Sequence, residues 1–199
     1  MRSLCFSPAG IFELVGISRE FSGRTSALAA ALLILIADRI TKLLVLHSMN
    51  AFDTVSIIPG WLRIVHAENP GAAFGVLAEG KPIVRNIVLI GISGVVLVFV
   101  ASALWSRNGA FRSAATRFGL ALILGGAIGN LLDRIFRGTV TDFIEVYHRA
   151  WSFPAFNVGD SAITVGAILL LFDLIKPNHL RSARSKSRRE NIKEGIAQK

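Results

Sequence analysis

Four long apolar runs constrain this chain more than any other feature. They cover Ser26 to Leu46, Pro82 to Trp105, Arg117 to Phe136, and Val158 to Ile175. Crossing the hydrocarbon core of a bilayer takes about 20 mostly apolar helical residues. Of the 199 residues, 52% are hydrophobic and only 18% are charged, a balance unlike that of a soluble domain. The sequence therefore predicts an all-α membrane protein in which four transmembrane helices form one domain, residues 26–176.

The basic residues of the connections predict the orientation of these helices. Residues 177–199 are strongly basic, and residues 106–116 hold Arg107 and Arg112 with no acid. Lys and Arg concentrate on the cytoplasmic side, so both segments and both termini should be cytoplasmic. The other connections, residues 47–82 and 138–156, carry more acids than bases and should face outward. The net charge of +9 then reflects orientation and contact with anionic lipid, and a nucleic-acid partner is not expected.

The two ends of the chain lie outside the predicted domain. Residues 1–25 mix charged and apolar residues without the apolar core of a signal peptide, so we expect a cytoplasmic extension. Residues 177–199 are predicted to be a disordered cytoplasmic tail. The single cysteine, Cys5, has no partner for a disulfide and fits no metal-site spacing. We expect a monomer that uses no metal and no cofactor.

A small hairpin is predicted in the first outward connection, between helices 1 and 2. Residues 54–58, TVSII, and residues 61–66, WLRIVH, are rich in β-branched side chains and flank the turn-forming pair Pro59 and Gly60. We expect this hairpin to face outward and to lie on the membrane.

Ionisable residues also occur inside the apolar runs. Asp38 and Lys42 are four residues apart on the first helix, so they share a face and neutralise each other; a structural ion pair is the simplest interpretation. On the third helix, Asn130 and Arg134 have the same spacing and should point together into the bundle. Glycines at 125, 126 and 129 precede them and permit close helix packing. Asp133 is expected to pair with Arg134.

Asp142 and Asp160 bound the second outward segment, eighteen residues apart. Asp160 has an ordinary explanation, since Asn157 with Asp160 resembles a capping box at the start of the fourth helix. If the two carboxylates meet, however, they share a proton, which leaves one as a base and the other as an acid. A base and an acid at one site suit the hydrolysis of an amide bond by water.

The sequence lacks the motifs of other catalytic mechanisms. The sequence has no HExxH, GxSxG or P-loop motif, its four histidines are scattered, and Ser161 has no base in view. A transporter or proton relay is the main alternative, because acids inside a membrane often mark ion pathways. It would show repeated halves and acids near the midplane, which this sequence does not. A structural scaffold would leave the two outward acids unexplained.

Five segments resemble one known family, lipoprotein signal peptidase, also called signal peptidase II. They are DRITK (38–42), NPGAAFG (69–75), GGAIGNLLDR (125–134), VTDFIEVY (140–147) and FPAFNVGDSAITVG (153–166). The resemblance runs from about residue 27 to residue 176 and leaves out only the two ends. One difference is Gly159, where members often carry Ala; the smaller residue is expected to loosen the helix start slightly.

The resemblance implies a four-helix aspartyl protease of the bacterial inner membrane with its active site near the outer face. Its partners would be the bilayer and lipid-modified prolipoproteins, which it would cut before a diacylglyceryl-modified cysteine. Asp142 and Asp160 would be the catalytic dyad. The resemblance also implies seven substrate-binding or supporting positions: Asp38, Lys42, Asn69, Gly71, Asn130, Arg134 and Asn157.

Overall fold

The computed structural model describes residues 8–51, 53–71, 81–106 and 113–175, with side chains from residue 23 onward. The elements in chain order are α1 (Pro8–Ser48), β1 (Thr54–Ile58), β2 (Leu62–Asn69), α2 (Pro82–Trp105), α3 (Ala114–Arg137), β3 (Val140–His148), β4 (Trp151–Ser152) and α4 (Val158–Ile175). The protein is thus mostly helical with a small sheet. Cys5, the bases of residues 107–112 and the tail 177–199 lie outside the described residues.

Three helices in the described part of the chain are long and apolar enough to cross a membrane: α2, α3 and α4. The bounds of α2 and α4 are those predicted from hydropathy. α3 begins three residues earlier than predicted because Ser113 caps it, its hydroxyl oxygen accepting the Thr116 N–H at 3.0 Å. It ends at Gly138, whose φ of 77° is readily adopted only by glycine.

The first helix differs from its prediction. It was expected from Ser26, but α1 begins at Pro8 and runs for 41 residues without a break. Residues 9–25 contain no proline, so nothing in them stops the helix once it has begun. At about 1.5 Å per residue, α1 is about twice the thickness of a hydrocarbon core. Its apolar part carries Asp38, Arg39 and Lys42, so four transmembrane helices stay a prediction.

The sheet contains more of the chain than the sequence predicted. β1 and β2 form an antiparallel pair around Gly60, whose φ is 80°. β3 and β4 extend this pair into a four-stranded antiparallel sheet in the order β1-β2-β3-β4. The description as all-α is therefore corrected, because the second connection predicted to face outward, residues 138–156, also contains strands. The position of the hairpin on the outer surface stays a prediction.

The pairing of β2 with β3 brings both predicted outward connections to one end of the helices. One face of the sheet carries an apolar row, Val55, Ile64 and Ile144. The other carries the polar row of Ser56, Arg63 and Glu145, in which Arg63 Nε donates to Glu145 Oε2 at 2.6 Å. The register also places Asp142 opposite Ala67.

α3 lies at the centre of the bundle and contacts α1, α2 and α4. Glycines on α3 allow α1 and α4 to approach it closely. A methyl group at Gly129 would overlap the Asp38 carboxylate on α1, and one at Gly126 would overlap the Gly159 carbonyl on α4. A methyl group at Gly159 would in turn lie 2.9 Å from the Gly126 carbonyl oxygen. Gly159 therefore lets α4 approach α3 closely, and the expected slight loosening of the helix start stays a prediction.

Candidate active site

Asp142 is the third residue of β3, in a stretch where Val140 to Phe143 are all buried. The side chain is buried between the sheet and the helices and is only 3% exposed. Asn69, the last residue of β2, donates from Nδ2 to Asp142 Oδ2 at 3.0 Å. The sheet therefore places both Asp142 and its hydrogen-bond donor Asn69 at the end of the helical bundle.

Asp160 lies in the first turn of α4 and takes part in the capping box that the sequence suggested. Asn157 Oδ1 accepts the Asp160 N–H at 2.9 Å, and Asp160 Oδ2 accepts the Asn157 N–H at 3.2 Å. The other oxygen, Oδ1, accepts from Asn130 Nδ2 at 2.7 Å. Capping therefore occupies one carboxylate oxygen and leaves the other to the interior of the site.

Asn157 joins the two aspartates. Its Nδ2 donates to Asp142 Oδ1 at 2.7 Å, while its Oδ1 and backbone N–H hold Asp160. The residue is fully buried, so its amide has no competing water. The structure thus brings Asp142 and Asp160 to the same side chain from β3 and α4.

Both acids line one cavity of about 940 Å³. Its polar and charged lining residues are the two acids, Glu68, Asn69, Arg134, Ser161 and Thr164. The rest of the wall is largely apolar and comes from β3, from the segment before α4 and from α4 itself: Val140, Phe153, Pro154, Ala155, Phe156, Ile163 and Val165. A largely apolar ligand with a polar, reacting group fits this lining.

The two carboxylates have different surroundings. Burial raises the pKa of Asp142 to about 7, and the charge of Asp160 adds to the rise, while the donors Asn69 and Asn157 oppose it. Asp160 lies at the N-terminus of α4, where the helix dipole and backbone N–H groups suit a negative charge. Asp142 therefore still holds a proton part of the time at neutral pH.

Arg134 faces the cavity instead of pairing with Asp133 as predicted. Its guanidinium donates to the Gly71 carbonyl oxygen at 3.2 Å and to the Asn130 carbonyl oxygen at 3.4 Å. Asp133 pairs with Arg39 of α1 and lies 2.9 Å from Lys42 Nζ. Successive helical residues point about 100° apart, so Asp133 and Arg134 reach different neighbours.

The predicted ion pair of Asp38 and Lys42 is present, with 2.7 Å between Asp38 Oδ2 and Lys42 Nζ, and both side chains are fully buried. The pair also forms hydrogen bonds with residues next to the two acids. Asp38 Oδ1 accepts the Gly159 N–H at 2.8 Å, which satisfies a free donor at the start of α4. Lys42 donates to Asn130 Oδ1 at 2.8 Å.

Glu68 was not singled out from the sequence. It lines the cavity and accepts from Arg137 at 2.8 Å and from Thr139 at 2.5 Å, which hold its pKa below the usual value against the effect of burial. Only the register of β2 with β3 places it there. Ser161 also lines the cavity, but its hydroxyl donates to the Asn157 carbonyl oxygen at 2.9 Å. Among the described residues, no group of three or more His, Cys, Asp or Glu could hold a metal ion.

Known proteins resemble this chain over most of its length. The model of the signal peptidase (SPase) II family matches residues 30–176. The lipoprotein signal peptidase of Solibacter usitatus is 45% identical over 154 residues, which cover 77% of this chain and 93% of that protein. The lipoprotein signal peptidase of Pseudomonas fluorescens strain Pf-5 is 40% identical over 158 residues, which cover 77% of this chain and 89% of that protein.

Solved structures extend the agreement to the fold. A bacterial membrane enzyme determined by the in meso method at 2.3 Å resolution superposes with a TM-score of 0.65 at 30% identity, over 76% of this chain and 88% of that one. A second, at 1.9 Å resolution, gives a TM-score of 0.63 at 30% identity, over 76% of this chain and 94% of that one. The chain therefore belongs to the signal peptidase II family of bacterial membrane peptidases.

Proposed function

We propose that this protein is an aspartyl endopeptidase that removes signal peptides from diacylglyceryl-modified prolipoproteins. The cut falls just before the lipidated cysteine, and the Asp142 and Asp160 pair activates the attacking water. The observation that carries the proposal is the Asn157 side chain, which holds one carboxylate with its Nδ2 and caps the other with its Oδ1. Both acids line one cavity.

The different surroundings of the two acids suggest their roles. Asp160, at the helix N-terminus, takes a proton from water as the water attacks the scissile carbonyl carbon. Asp142, whose pKa is raised to about 7, is protonated at this step and donates its carboxyl proton to the carbonyl oxygen. The pair then returns a proton to the leaving nitrogen. No covalent intermediate is needed.

Neighbouring donors position the substrate. The Arg134 guanidinium is half-buried at the cavity wall, and its Nε has no hydrogen-bond partner among the described residues. A guanidinium suits carbonyl oxygens, so Arg134 binds the backbone of the signal peptide. Asn69 holds Asp142, and the Gly71 carbonyl holds Arg134 in place.

The apolar wall sets the substrate class. Phe153, Phe156 and Ile163 line the same cavity as the two acids and offer a surface for acyl chains and for the apolar helix of a signal peptide. A hydrophilic peptide would gain little from this wall. The lipid on the substrate therefore supplies binding energy that an unmodified precursor lacks.

The test uses one prolipoprotein in lipidated and unlipidated form, incubated with the purified protein in detergent. Mass spectrometry of the products locates the cut. We expect release of the signal peptide from the lipidated form alone, with the cut before the modified cysteine. Asp160→Asn should lose this cleavage. Asp53→Asn is its matched control and should keep it, because Asp53 is an exposed aspartate whose carboxylate accepts hydrogen bonds from Asn50. Equal cleavage of both forms, or none of the lipidated one, would contradict the proposal.

A further inference from the structure

The ammonium group of Lys42 makes more contacts than an ion pair needs. It is fully buried on α1, donates to Asp38 Oδ2 at 2.7 Å and to Asn130 Oδ1 at 2.8 Å, and lies 2.9 Å from Asp133 Oδ2. Asp38 alone balances its charge, and Asp133 already pairs with Arg39. The contact with Asn130 is therefore not explained by charge balance.

This contact determines which way the Asn130 amide points. An ammonium group only donates hydrogen bonds, so the amide oxygen must face Lys42. The amide nitrogen then faces α4, where it donates to Asp160 Oδ1 at 2.7 Å. With the amide reversed, its NH₂ group would face the ammonium and its oxygen would face the carboxylate. Asn157 also donates to Asn130 Oδ1, but at 3.2 Å it is the more distant donor.

We propose that Lys42 is a positioning residue, which directs a hydrogen-bond donor of Asn130 at Asp160 without touching that carboxylate itself. This inference rests on the proposed function, in which Asp160 is the base. Two further charged groups act on Asp160 directly, Asp142 from β3 and Arg134 from α3, and the variants below keep both residues. Lys42 acts instead through the Asn130 amide, across the α1 and α3 contact. The charge of Lys42 also lowers the pKa of Asp142, so Lys42→Met raises that pKa, and the Asp160 signal measured below separates this effect from the one proposed.

The first test compares Lys42→Met with Arg39→Met. Both remove a cation of α1 that pairs with Asp133, but only Lys42 bonds to Asn130. We expect Lys42→Met to lower kcat at least about tenfold with little change in KM, because the substrate still binds. The acidic limb of its kcat/KM profile should move to higher pH. Arg39→Met should change neither, and equal effects of the two variants would contradict the inference.

A second variant guards against misfolding. Lys42→Met leaves Asp38 buried without its cation, which destabilises the protein. Lys42→Met/Asp38→Asn restores the balance, and the new amide oxygen still accepts the Gly159 N–H. It should show the same kinetic defect. In an Asn130→Ala background, Lys42→Met should cost almost nothing further, because both residues act on one hydrogen bond. Additive losses would mean that Lys42 acts by another route.

A third measurement needs no substrate. In protein labelled with ¹³C at the aspartate carboxyls, the Asp160 signal is identified by its loss in Asp160→Asn. Its titration midpoint should move to higher pH in Lys42→Met and stay in place in Arg39→Met. An unmoved signal in folded Lys42→Met would overturn the inference. If the wild-type protein cleaved no prolipoprotein, only the proposed function would fail, and this titration would still decide the role of Lys42.

Discussion

Asn157 and Asp160 cap each other at the start of α4, with 2.9 Å from the Asp160 N–H to Asn157 Oδ1 and 3.2 Å from the Asn157 N–H to Asp160 Oδ2. A capping box is usually a stabilising device worth about 1 kcal/mol. Here Asn157 also donates to the buried acid Asp142, which lines the same cavity as Asp160. Helix capping therefore fixes the position of a carboxylate that our proposal makes catalytic, and a single side chain has a structural and a chemical role.

The first prediction concerns this pair of acids. Asp142→Asn and Asp160→Asn each keep size and polarity but cannot exchange a proton, so each should reduce turnover by at least roughly 10²- to 10⁴-fold. The double variant should be hardly worse than either single one, because the acids work as a unit. The measurement is the initial cleavage rate per folded protein, with folding checked by thermal unfolding in detergent.

Asp133→Asn supplies the control for this prediction. Asp133 is as buried as Asp142 but pairs with Arg39 and Lys42. Its variant should lower the melting temperature and keep a cleavage rate well above that of the dyad variants. Ordinary turnover by Asp160→Asn would leave that residue as a helix cap only.

The second prediction concerns stability and pH. The pKa of Asp142 is raised from 3.8 to about 7, so the folded protein keeps a proton that the unfolded chain releases in this range. The free energy of unfolding should therefore fall as the pH rises from about 4 to about 7. Asp142→Asn removes this dependence, so the variant should match the wild type near pH 4 and exceed it above pH 7, by roughly 2 to 4 kcal/mol.

Melting temperatures of the two proteins across pH 4 to 8, in one detergent, provide the measurement. Groups that do not interact with Asp142 titrate alike in both proteins and cancel in the difference, whereas Asp160 interacts with Asp142 and contributes to it. A difference that did not change with pH would mean that Asp142 is not held in its protonated form by burial.

Sequence patterns predicted the parts of this protein that depend on local order. Hydropathy gave the bounds of α2 and α4, and the four-residue spacing of Asp38 and Lys42 gave their ion pair. Both signals arise within one helix. The chemistry of two acids at the ends of one segment likewise suggested that Asp142 and Asp160 should be considered together.

Contacts between distant segments could not be predicted in this way. Glu68 reaches the cavity only through the pairing of β2 with β3, and Asp133 pairs with Arg39, 94 residues away. Lys42 and Asn130 are separated by 88 residues. Helix packing decides which of many polar residues meet, and the pattern of one sequence does not contain that information.

The third prediction concerns orientation. Pro59 and Arg149, in the two connections that form the sheet, should be outside, while Asn108 and the tail beyond Pro177 should be cytoplasmic. Single cysteines at these sites, in a Cys5→Ser background, can be labelled with a reagent that does not cross the membrane. Labelling at Pro59 and Arg149 alone is expected in intact cells. A cytoplasmic Arg149 would place the acids on the wrong side for an exported substrate.

The last prediction tests the close contact that positions α4. A methyl group at Gly126 would overlap the Gly159 carbonyl, so α3 and the first turn of α4 must move apart. Gly126→Ala should therefore lower both the melting temperature and the cleavage rate, since Asp160 moves with that turn. Gly94→Ala on α2 is the matched control, because a methyl group there meets no atom within 4 Å. Alanine also has the higher helix propensity, by roughly 1 kcal/mol, so Gly94→Ala should be neutral or stabilising and keep full activity. If Gly126→Ala cleaved substrate at the wild-type rate, the position of Asp160 would not depend on this contact between α3 and α4.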